Sequence, residues 1–113
     1  MGAADGAIVS TLLQDRLKTA VWLDGGYFLW PPEVGDDQAD FVSRMKKPVL
    51  MVNGRYDYVF PLNESQTPMF KMLGTPAADK SHVVFDTPHE VTEQRPMLVR
   101  TVLAWLDKYL GKV

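Results

Sequence analysis

The chain has 113 residues, 46% of them hydrophobic and 11% aromatic, which is the size and composition of one small globular domain and not of a disordered segment. Its 12 Lys and Arg against 14 Asp and Glu give a formal charge of -2 and form no basic stripe, so nucleic acid and anionic membrane are poor partners. The absence of cysteine excludes disulfides and thiolate metal sites and leaves the redox compartment unread, and no apolar run is long enough to span a bilayer.

The N-terminal "MGAADGAIVS" lacks the basic region and long apolar core of a secretory leader. Gly6 stands where a myristoylation pattern needs Ser or Thr. A cytoplasmic location is the default expectation. Residues 3–15 read as a helix rich in small side chains, with Gly6 permitting close packing on a sheet. Leu17 to Asp24 is a short apolar run around Val21 and Trp22 and reads as a buried strand. "GGYFLWPPEVGDD" is a loop by its Gly and Pro content, with Gly25 and Gly26 making the turn after the strand. Asp37 to Met45 reads as a short helix with Phe41, Val42 and Met45 on one face.

"KPVLMVNG" is the clearest strand, apolar on both faces as parallel strands are. A helix follows from Asn63 or Thr67 to Gly74. Thr67-Pro68 would supply its N-cap and first turn, and Asn63 and Glu64 read as capping residues. His82 to Asp86 is a third strand. The last helix runs from about Pro96 to Leu110, with Leu98, Val102, Trp105, Leu106 and Tyr109 as an apolar stripe and Gly111 as its stop. Helices alternating with three strands predict a parallel sheet with right-handed crossovers. Such a sheet leaves a long apolar edge uncovered.

Asp57 lies just beyond the second strand and His89 just beyond the third, about one strand-helix-strand unit apart. Both side chains are therefore expected at the C-terminal edge of the sheet, where open α/β sheets bind ligands. A buried aspartate that accepts a hydrogen bond from an imidazole fixes its tautomer and stabilises the imidazolium, as a general-base histidine requires. On topology alone, an unrelated surface aspartate and loop histidine account for the pattern equally well.

"PVLMVNGRYDYVFP" resembles the seventh-strand acid motif of the α/β-hydrolases: an apolar strand, then Gly-x-x-Asp, an apolar residue and Pro. "HVVFDTPHEV" resembles their eighth-strand histidine motif, and a closing amphipathic helix follows. The resemblance covers essentially all of residues 1–113 as one partial domain. Within the superfamily it looks like the dienelactone-hydrolase and prolyl-oligopeptidase-like branches. It implies an α/β fold in which the three-stranded parallel sheet, flanked by helices, is equivalent to strands six to eight. It also implies Asp57 as triad acid, His89 as general base, and a small ester as substrate, with peptides or lactones as alternatives.

The family's Gly-x-Ser-x-Gly nucleophile turn is not in the sequence, and Ser10, Ser43, Ser65 and Ser81 have no glycine frame. Aligned on the small residues of "MGAADGAIV", Met1 falls just after the nucleophile position and Gly2 on the last glycine of that turn. A triad without its serine keeps only a small part of its rate. The chain therefore reads as a hydrolase-fold protein whose nucleophile must come from elsewhere, as an inactive C-terminal piece, or as an interaction module that oligomerises through the open edge.

Tyr27, Phe28 and Trp30 stand on the loop at the active edge and, with Tyr58, are candidates to line a substrate pocket; packing on a neighbouring surface is the alternative. Tyr56 and Tyr58 would either screen Asp57 from water or be ordinary loop aromatics. A metal is not expected, since His82 and Asp86 open and close one strand and lie far apart. "DGG" is not a phosphate-binding signature, so no nucleotide and no cofactor are expected.

Overall fold

The structure is a computed structural model and describes residues 2–29 and 38–112. Three strands form one parallel sheet in the order β1 (Ala20–Leu23), β2 (Val49–Gly54), β3 (Lys80–Phe85). Ala20 registers with Val49, and Val49 with Lys80. All six residues of β2 are buried, because it is flanked by strands on both sides and by helices on both faces. The apolar run "VLMV" meets that requirement without alternation.

The period of the strands divides the core in two. Trp22, Val49 and Met51 point to one face, where they pack with Ala7 of α1 (Gly2–Leu12), with Val42 of α2 (Gln38–Val42), and with Met69 of α3 (Thr67–Met72). Leu50, Val52 and Phe85 point to the other, against Leu98 and Trp105 of α4 (Arg95–Leu110). Val102, Leu106 and Tyr109 pack on the same cluster, so the expected stripe of α4 is the buried one. Trp105 also donates its indole N–H to Thr19 Oγ1 at 2.7 Å, which satisfies the polar end of a buried ring. Gly111, at φ 83°, ends α4 with its N–H on Asp107 O.

Several expected boundaries move. The first helix ends at Leu12 and continues only as a tight turn over Gln14–Arg16. β1 is shorter than Leu17 to Asp24. β3 begins two residues before His82 and ends at Phe85. Gly6 is not a contact point, since a Cβ there would meet open space. Thr67 does not cap α3. The amides of Ser65 and Gln66 already reach Pro61 O at 2.9 and 3.2 Å, so a wide turn over Leu62–Gln66 starts the coil earlier and puts Thr67 inside it. Neither Asn63 nor Glu64 makes a side-chain cap bond there. The helix stops at Met72, before Gly74, whose amide leaves to bond Val42 O. Asp37, the expected first residue of α2, lies outside the described residues.

Candidate active site

The C-terminal ends of the three strands deliver the polar residues of the site. Gly54 ends β2, and Asp57 N closes a turn onto Gly54 O at 3.4 Å. The loop after β3 passes so close that a Cβ on residue 54 would meet the carbonyl oxygens of Thr87 and Pro88. Arg55 N on Phe85 O (2.8 Å) and Tyr56 N on Thr87 O (3.0 Å) bind the two loops together. Arg55 and Asp86 add an exposed ion pair at 2.8 Å. The Gly-x-x-Asp spacing thus has a local cause: the glycine admits the histidine loop, and the turn presents the aspartate to it.

The Asp57 carboxylate is fixed at both oxygens. Oδ1 accepts from the amides of Val59 (2.7 Å) and Phe60 (2.9 Å), and Oδ2 lies 2.8 Å from His89 Nδ1. Its side chain is fully buried, while that of His89 is 23% exposed. A carboxylate accepts, so Nδ1 donates, and the Nε2 lone pair is left for other work. Nε2 has no hydrogen-bond partner among the described residues. Phe60, fully buried, stacks obliquely on the imidazole at 5.9 Å between centroids and on Phe28 at 5.6 Å.

The expected pocket residues separate. Phe28 joins this aromatic row. Tyr27 instead packs on the core shared by α1, α2 and α3, and its carbonyl accepts from Ser65 Oγ at 2.6 Å. Tyr58 is 80% exposed and 6.5 Å from the imidazole ring centre. Because Tyr56 and Tyr58 both stand in solvent, the screening of Asp57 comes from the turn itself and from Phe60. Trp30 lies outside the described residues.

Two polar groups were not legible as parts of this edge. Gln38 donates to Ala4 O and Gly26 O and accepts from Phe28 N, so one buried amide ties the loop after β1 to α1. Asp24 follows β1 with φ 54°, and its carboxylate accepts from Val91 N at 3.2 Å, two residues beyond the histidine. Burial pushes this carboxyl up from its usual 3.8. The Val91 amide and the attraction of His89 oppose that rise, and repulsion from Asp57 and Glu90 adds to it. Asp24, not Gly25 or Gly26, takes the left-handed conformation of the turn. The only sequence signal was its place, an aspartate at a strand end before two glycines.

Among the described residues no cluster of His, Asp and Glu could hold a metal ion. His82 lies on the opposite sheet face from α4, ring to ring with Phe70 at 5.5 Å. Its Nε2 lies 3.2 Å from Asn53 Oδ1. Asn53, fully buried, donates in turn to Gly25 O at 2.7 Å and so links β2 to the loop after β1 and to the middle of β3.

No protein-family model and no curated protein matches the sequence. Solved structures do match its fold. A Thermus thermophilus protein, TT1662, superposes with a TM-score of 0.71 at 20% identity, over 95% of this chain and 52% of its own. An esterase of Pyrococcus furiosus gives 0.72 at 16% identity, over 93% and 49%. Est1E from Butyrivibrio proteoclasticus gives 0.78 at 14% identity, over 97% and 58%. The fold is that of the α/β-hydrolases. The chain spans about half the length of the structures it matches, and its strands stand where the sixth to eighth strands of that fold stand. In an α/β-hydrolase sheet the strand C-termini form the ligand edge, and here that edge carries Asp24, Asp57 and His89. No helix among the described residues is long and apolar enough to cross a membrane.

Proposed function

We propose that this α/β-hydrolase chain carries the acid and base of a serine-esterase-type site, with Asp57 as the acid and His89 as the general base acting on carboxylic esters. The observation that carries the reading is the 2.8 Å contact between His89 Nδ1 and a buried carboxylate whose other oxygen is held by two amides. That arrangement orients the ring, compensates the charge it gains on taking a proton, and leaves Nε2 as the working atom. Esters are favoured over other acyl donors because one of the matching structures is named an esterase and another structure of Est1E holds ferulic acid.

The nucleophile is not one of the chain's own serines. Ser10, Ser43 and Ser65 bond to Ala7 O, Ala39 O and Tyr27 O, and no serine among the described residues bonds to His89. In the triad the serine comes to Nε2 from outside these residues. In the chain by itself, Nε2 takes a proton from water as the water oxygen bonds to the acyl carbon, and then returns that proton to the ester oxygen as the acyl C–O bond breaks and the alcohol departs. The test is hydrolysis of p-nitrophenyl butyrate by the chain, by His89→Ala and by Asp57→Asn. General-base help is worth about 10²–10⁴-fold, so His89→Ala should lose at least about a hundredfold. Equal rates in all three would sink the reading.

A second reading is favoured by a different observation. Among the described residues the outer edge of β1 is unpaired, and it borders an open groove of about 480 Å³, lined by Gly2, Gly6, Ser10, Thr19 and Trp22. An edge of this kind pairs with another strand, and a second copy of the chain is the simplest source of one.

A further inference from the structure

We propose that Asp24 is a positioning residue of the site: its carboxylate clamps the histidine loop by holding the Val91 amide, and so keeps His89 on Asp57. The proposal rests on reading His89 as the base.

The sequence Glu90-Val91 opens a tight helical turn, Val91–Gln94, that leads directly into α4. The first amides of such a turn have no partner within it and need one from outside. Glu90 stands at the cap position, but its side chain makes no cap bond. The acceptor comes instead from 67 residues away, where Asp24 Oδ1 lies 3.2 Å and Oδ2 3.4 Å from Val91 N. Asp24 is itself held, because its own amide extends the β1–β2 ladder onto Val52 O at 3.0 Å. Its φ of 54° is a backbone state that Asp and Asn tolerate better than most residues and that turns the side chain toward the third loop.

The Val91 side chain is fully buried in the core under α4. The residue after the histidine loop is therefore pinned twice, by its side chain to the core and by its amide to Asp24. His89 lies two residues upstream, between this anchor and the crowded approach of Thr87 and Pro88 to Gly54. A histidine held at both ends of its loop can reach Asp57 in one orientation only. The charged groups facing Asp24 are Asp57 on the loop after β2 and His89 and Glu90 on the loop after β3. A carboxylate in this company resists burial, which is a cost a purely structural cap would avoid by using Asn.

The test needs no activity. The His89 Nδ1 proton, shared with Asp57, gives a low-field proton resonance, and Val91 amide exchange reports the clamp. Asp24→Ala should speed Val91 exchange by at least about tenfold, the loss of one hydrogen bond to a charged acceptor, and should broaden or remove the Nδ1 resonance. Asp24→Asn keeps an acceptor oxygen and tolerates the backbone state, so it should restore both signals. Normal exchange and a normal Nδ1 resonance in Asp24→Ala would overturn the proposal. So would loss of the resonance with Val91 still protected, because the clamp would then not be the cause. Asp57→Asn separates this from the reading of the site. If the resonance is absent in the wild type, or present there and unaffected by Asp57→Asn, the His89–Asp57 pair fails, and the positioning role fails with it whatever Val91 does.

Discussion

Gly54 shows how one residue can set the geometry of the site. Any Cβ there would collide with two carbonyl oxygens of the opposing loop, and backbone atoms cannot swing aside as the end of a flexible side chain can. Gly54→Ala should therefore push the loop of Thr87 and Pro88 away, cost about 1–3 kcal/mol or more in a urea titration, and weaken the His89 Nδ1 resonance. An unchanged urea midpoint would mean that the loops part at no cost. His82 is a second single-residue case. Burial lowers its pKa below the usual 6.5, so the native state holds it neutral. The unfolded chain binds the extra proton as the pH falls below 6.5. The stability contributed by His82 is thus complete above that value and is lost as the pH falls through the lowered native one. His82→Gln should flatten the decline of the urea midpoint in that window; parallel wild-type and variant profiles would refute it. Asp24 has the opposite sign. Its raised native pKa gives a contribution that is full below 3.8 and is lost as the pH rises through the native value, so Asp24→Asn should be at least as stable as wild type at neutral pH.

At the scale of elements, the helix that closes the sheet carries the clearest helical pattern and buries it against the sheet. The ring of Trp105 lies against the α4-side core, 4.7 Å from the Tyr109 ring, and its N–H is bonded to Thr19 ahead of β1. Trp105→Ala should cost about 3–5 kcal/mol, or unfold a chain of modest stability outright. Arg100→Ala, on the exposed face of the same helix, should stay within about 0.5 kcal/mol. Similar urea midpoints for the two would show that α4 is not docked. The same contrast marks what could be read from the sequence. The stripe of α4 and the apolar run of β2 were legible because each buries a face with a fixed period, and Asp57 and His89 because each follows directly from a strand end. The start of α3 was not, because the Pro61 carbonyl accepts two amides and the coil begins before the Thr-Pro signal. Nor were the partners of Gln38, Asn53 and Asp24, which bond backbone groups 10 to 67 residues away. A side chain that satisfies one distant amide leaves no periodic trace.

For the molecule as a whole, the decisive asymmetry is between the two edges of β1. Ala20 N and Asp24 N bond Pro48 O and Val52 O, so the even-numbered amides face β2. By the alternation of a strand, the amides of Val21 and Leu23 then face the groove. Their side chains pack on the α4-side core, so the backbone at that edge is held in place from one face. Two copies could pair this edge antiparallel about a twofold axis, each offering the same amides and carbonyls. Exposed apolar residues on α1 and just after it, namely Val9, Leu12 and Leu13, are further surface for such a contact. If this is how the chain associates, its sedimentation coefficient should rise with concentration, and exchange at Val21 and Leu23 should slow in step. A chain that stays monomeric across the accessible range, with both amides exchanging freely, would rule out association through this edge and leave the Asp57–His89 pair as the functional feature of the chain. Association with Val21 and Leu23 still unprotected would put the contact elsewhere, with the exposed α1 residues the first to test. Association at this edge bears on the site, because Asp24 directly follows β1: a strand added there would stiffen the element from which the histidine loop is held.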